Sequence, residues 1–96
     1  MEKPERLKTL FQSEFTSKKI EYAFDSNLHQ YMIVGPLTHR LYISADFIEK
    51  NEPRDIVQKA RATGAIYMLK SSEEPRCLEL NAGGVEEVRL RAAKGA

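Results

Sequence analysis

Leu7, Leu10, Phe11 and Phe15 recur at helical spacing, with Glu5, Arg6, Lys8, Gln12 and Ser13 on the other side. Pro4, with its fixed φ and missing N–H, suits the first turn of that helix. The pattern predicts a helix over about residues 4–16 whose apolar stripe lies on the body of the domain. After Lys18-Lys19 the period changes to two. Ile20, Tyr22 and Phe24 alternate with Glu21, Ala23 and Asp25, the signature of a half-buried strand. Asp25-Ser26-Asn27 is turn chemistry, because all three side chains can bond the local backbone. Two β-rich runs, 28–34 and 39–44, then flank Gly35-Pro36-Leu37-Thr38, which reads as a four-residue hairpin loop.

Ser44 is placed to cap a helix, with Asp46 in the first turn, where the helix dipole favours a carboxylate. Phe47, Ile48, Ile56, Val57 and Ala60 supply an apolar side, and Pro53 interrupts it. The stretch therefore reads as a short helical turn at 45–51 and a helix at 53–62, or as one kinked helix, stopping at Thr63-Gly64. Ala65-Ile66-Tyr67-Met68-Leu69 is the most continuously apolar run and reads as a central strand. A polar turn at 71–75 leads into a strand at 76–80, and Asn81-Ala82-Gly83-Gly84 turns the chain again. Residues 85–92 suit an antiparallel returning strand better than a helix, and 93–96 form a frayed tail. The expected fold is α+β, in the order α-β-β-β-α-β-β-β. It is a single domain over 1–96, with a mostly antiparallel sheet of five or six strands packed against two helices.

Composition narrows the function classes. The 96 residues are 42% hydrophobic, enough for one core, and the 15 basic and 14 acidic residues leave a net charge of +1. Such a balance produces no field that draws in duplex nucleic acid or an acidic membrane. Cys77 is the single cysteine, which excludes an intramolecular disulfide and fits a reducing compartment. No apolar run approaches the roughly 20 residues of a membrane span, and the N-terminus lacks the apolar stretch of a signal peptide. The expectation is a cytoplasmic domain with no membrane association.

Catalytic motifs are missing: there is no P-loop, GxSxG elbow, HExxH helix or paired-cysteine spacing. His29, His39 and Cys77 show no ligand spacing, so neither metal nor cofactor is expected, and Cys77 reads as a small buried hydrophobe. Basic residues cluster only locally, at Lys18-Lys19 and at Arg89, Arg91 and Lys94.

The hairpin carries the functional expectation. With a loop of four residues, Val34 faces His39, Met32 faces Leu41 and Gln30 faces Ile43, an aliphatic set for the helices. The other face then gathers His29, Tyr31, Ile33, Arg40 and Tyr42 into one amphipathic strip, with Tyr31 opposite Tyr42. A register slip of one residue exchanges the two faces. Tyrosine and arginine on a rigid sheet are the residues enriched at protein-interface hot spots. The expected function is a non-catalytic protein-interaction module, a small adaptor, regulator or stoichiometric inhibitor, able to pair with itself through a sheet edge or this face. The alternative is a single-stranded nucleic-acid binder that stacks bases on the tyrosines and carries the backbone along Lys18, Lys19, Arg89 and Arg91.

Overall fold

The structure, a computed structural model, describes residues 2–88. Its elements run in order α1 (Lys3–Glu14), β1 (Lys19–Asp25), β2 (Leu28–Val34), β3 (His39–Ser44), α2 (Ala45–Lys50), α3 (Pro53–Ala62), α4 (Ala65–Ser71), β4 (Cys77–Asn81) and β5 (Gly84–Glu87). The strands form one five-stranded sheet in the order β1-β2-β3-β4-β5. Neighbours pair antiparallel except β3 and β4, which are parallel. Parallel pairing needs a crossover, and α2, α3 and α4 supply it by returning the chain to the end of the sheet where β3 began. The fold is α+β with a mostly antiparallel sheet.

Local chemistry explains the boundaries. The β1–β2 turn is closed by Ser26 and Asn27, with φ of 51° and 68°; two left-handed residues give the tight turn whose twist matches the strands. Ser44 ends β3 and caps α2, its hydroxyl accepting from the Phe47 N–H at 3.1 Å. Pro53 stands in the first turn of α3, where its missing N–H is harmless, and so separates α3 from α2. Gly64, at φ 86°, lets the chain leave α3 and start α4.

Two expectations are corrected. Residues 65–69 belong to helix α4, and with 45–62 divided into α2 and α3 the fold has four helices where the expected architecture had two. Ala65, Ile66 and Leu69 share the buried stripe of a helix, while Tyr67 is 73% exposed, a spacing that a strand could not produce. The β2–β3 register also differs by one residue from the expected one. Ile33 pairs with His39, Met32 with Arg40, Tyr31 with Leu41, Gln30 with Tyr42 and His29 with Ile43. The ladder therefore closes across Val34–Thr38, five residues, and every side chain of β2 changes face relative to β3. At the C-terminus β5 covers part of the expected strand at 85–92; residues 89–92 and the tail 93–96 lie outside the described residues.

The core lies between the helices and one face of the sheet. Leu7, Phe11 and Phe15 of the α1 segment meet Ile20, Tyr31, Ile33, Leu41, Ile43, Leu78 and Leu80 from the strands. Ile48, Ile56, Val57, Ala60, Ala65, Ile66 and Leu69 complete it from the later helices. Every strand residue of that cluster comes from the same side of the sheet, as the register requires. Tyr31 is at its centre, 0% exposed, with its ring 5.3 Å from Phe11 and its hydroxyl donating to the Pro4 carbonyl at 2.9 Å.

Candidate protein-interaction surface

The corrected register divides the expected strip between two faces. His29, Tyr31 and Ile33 point into the helix-covered core, and all three are buried. Arg40 and Tyr42 point to the opposite face, Tyr42 across from Gln30 on one side and Glu79 on the other. Tyr31 and Tyr42 are therefore not partners, and no aromatic pair faces outward there. Lys19 lies at the start of β1 within 3.5 Å of the Glu21 carboxylate, and the Lys18 ammonium packs over Gly35. Arg89 and Arg91 lie outside the described residues.

The face opposite the helices follows from the register. One row runs Ala23, Gln30, Tyr42, Glu79 and Glu86 across the five strands. The next runs Glu21, Met32, Arg40 and Cys77, continued by Val88, whose N–H donates to the Cys77 carbonyl at 2.8 Å. Leu28 and Val34 sit at the two ends of β2 on this same face. Leu28, Met32, Val34, Cys77 and Val88 are all half-buried, and no described helix residue packs over them. Tyr42, on this same face, is 2% exposed. Charged side chains share this face: Glu21 and Asp25 with Lys19 on β1, Arg40 on β3, Glu79 on β4 and Glu86 on β5.

Burial pushes the Cys77 thiol up, and the Arg40 side chain, bonded to it, offsets that only in part. The group is a protonated thiol at neutral pH, not an activated nucleophile. The histidines serve elsewhere. His39 accepts the Arg76 backbone N–H on Nδ1 at 3.0 Å, and burial, followed by the charges of Lys18 and Arg76, holds its imidazole below the usual range. His29 shares a 2.5 Å hydrogen bond with the Tyr22 hydroxyl through Nδ1 and lies 4.5 Å, centroid to centroid, from Phe24. Burial also lowers the His29 imidazole and raises the Tyr22 phenol, Glu5 adding to the latter. Both shifts favour the neutral form of the group.

Tyr22 and Phe24 were read from the sequence only as strand residues, yet they form an aromatic rim at the outer edge of the sheet. Phe24 is 53% exposed. The signal was the alternation itself, which put Ile20, Tyr22 and Phe24 at successive inward positions up to the end of an edge strand. Among the described residues no group of three or more His, Cys, Asp or Glu is placed to hold a metal ion, and no helix is long and apolar enough to cross a membrane.

The fold and this surface define a two-layer α+β arrangement in which, among the described residues, the helices pack on one face of the sheet. Comparison with models of known families, with curated proteins and with solved structures gives no match.

Proposed function

We propose that the chain is a non-catalytic protein-interaction module, an adaptor, regulator or stoichiometric inhibitor, that docks a partner protein on the open face of its sheet. One observation supports this reading: among the described residues the helices pack on one side, while the other side presents Leu28, Met32, Val34 and Val88 around Arg40. Half-exposed aliphatic side chains on a rigid sheet lose little entropy on binding and gain from exclusion of water. The carboxylates of Glu21, Asp25 and Glu86 at the rim call for a partner with an apolar centre and basic surroundings. A reducing, cytoplasmic setting fits the single unpaired Cys77.

Base stacking is not favoured, since Tyr31 is in the core and, among the described residues, carboxylates outnumber cations on the open face. The test is affinity capture from cell extract with the wild-type chain, with Arg40→Glu, and with Lys50→Glu as a control on exposed α2. The expected result is one defined protein captured by wild type and the control, resistant to nuclease, and lost with Arg40→Glu. Capture that nuclease abolishes, or that Arg40→Glu leaves intact, contradicts the proposal.

A further inference from the structure

β1 is the outer strand of the sheet, seven residues long with neither proline nor glycine. The phase of its backbone is fixed by one contact: the Ile20 N–H donates to the Gln12 carboxamide oxygen at 3.1 Å, away from β2. Backbone groups of alternate strand residues point the same way, so Ile20, Tyr22 and Phe24 aim their N–H and C=O outward while Lys19, Glu21, Ala23 and Asp25 bond to β2. The tight turn between Asp25 and Leu28 and the bond from the Arg40 N–H to the Arg76 carbonyl, 2.8 Å, require the same phase. Among the described residues, the outward backbone groups of Tyr22 and Phe24 meet no hydrogen-bond partner. An edge strand of this length is a template for another strand.

The sequence of the edge matches itself in one register. We infer that two copies of this chain pair antiparallel along β1 about a two-fold axis at Tyr22, joining their sheets into one. In that register Lys19 faces Asp25 of the second copy, twice over, and Glu21 faces Ala23, so no like charges meet. On the helix side Ile20 faces Phe24 of the second copy, which covers the aromatic ring now left 53% exposed. Moving the axis to Ala23 sets Glu21 against Asp25, and moving it to Glu21 leaves Phe24 and Asp25 beyond the opposing strand. Charge and apolar matching therefore select the Tyr22 axis.

The hydrogen bonds follow from the same phase. Each Tyr22 N–H donates to the Tyr22 carbonyl across the axis, and each Phe24 N–H donates to the Ile20 carbonyl of the other copy. The Ile20 N–H exchanges Gln12 for the Phe24 carbonyl of the other copy, so the Gln12 side chain withdraws from the edge. Its other bonds, to the carbonyls of Phe15 at 3.1 Å and Lys18 at 2.6 Å, make it a competitor for the edge. This interface shares Lys19, Glu21 and Asp25 of β1 with the margin of the proposed partner face and leaves Met32, Arg40 and Val88 outside it.

Sedimentation equilibrium of the full chain tests it, with Lys19→Asp, Asp25→Lys and an equimolar mixture of the two. The wild type should sediment at twice the chain mass as its concentration approaches about 1 mM. Each single variant sets like charges opposite one another and should dimerise at least roughly 10-fold more weakly. The mixture restores both Lys–Asp pairs and should recover the wild-type mass, which also shows that both variants are folded. A wild type that stays at the mass of one chain throughout, or dimers indifferent to the charge swaps, overturns the inference. Met32→Glu, on the open face, should leave the association unchanged; loss of the dimer in that variant would move the contact to that face and overturn it equally.

Discussion

Tyr31 shows what a single polar atom does in this core. Its ring is enclosed by Phe11 and Tyr22, and its hydroxyl has one role, donating to the Pro4 carbonyl in the first turn of α1. Tyr31→Phe should therefore keep the fold and cost about 1 kcal/mol in chemical denaturation, the worth of one internal hydrogen bond. A neutral substitution would mean that the carbonyl is satisfied by water. The two histidines set a pH dependence of definite sign. Burial lowers both imidazoles in the folded chain. Above the ordinary value near 6.5 neither the folded nor the unfolded chain binds the proton, and nothing is gained or lost. Below it the unfolded chain binds protons that the folded chain refuses, so stability should fall from about pH 6.5 toward the depressed folded values. Urea midpoints measured across this range should decline for the wild type and flatten in the His29→Gln, His39→Gln double variant. An equal decline in both would assign the effect to carboxylates.

Elements were legible where a residue's local chemistry decided them. The Ser44 cap, the break at Pro53, the stop at Gly64 and the switch from period four to period two after Lys19 all stand where the pattern put them. Residues 65–69 misled because a short apolar run of Ile, Tyr, Met and Leu satisfies both periods, and only the packing of Ala65, Ile66 and Leu69 beside α3 settles the matter. The hairpin register was illegible for a similar reason. Gly35 and Pro36 mark the loop but do not say whether Val34 belongs to it, and that one residue decides whether Tyr31 or Met32 enters the core. Gly64 offers a test at this scale. A Cβ there would meet nothing within 4 Å, so Gly64→Ala isolates the backbone cost of φ 86°. It should destabilise by about 1–2 kcal/mol. No change would mean that the α3–α4 link relaxes without strain. Lys3 adds an interaction that spacing alone could not reveal: its ammonium bonds the carbonyls of Ile48, Glu49 and Asn51 at the end of α2. Lys3→Ala should cost about 1 kcal/mol and loosen α2 first, visible as faster amide exchange over residues 47–50.

At the scale of the whole molecule, five strands share one helix-covered face, so consecutive residues of β2 have opposite fates. Tyr31 is enclosed, and Met32 stands half-exposed beside Arg40 on the face assigned to the partner. Tyr31→Ala and Met32→Glu, each assayed for folding stability and for affinity toward the captured partner, therefore test the account most directly. Tyr31→Ala should cost about 3–5 kcal/mol of stability, as for other large buried rings. Met32→Glu should change stability by no more than about 1 kcal/mol and weaken partner binding by about 2 kcal/mol, roughly 30-fold. If instead Met32→Glu unfolds the chain while Tyr31→Ala leaves it stable and unable to bind, the two faces are the reverse of those described and the docking surface has been placed on the wrong side of the sheet.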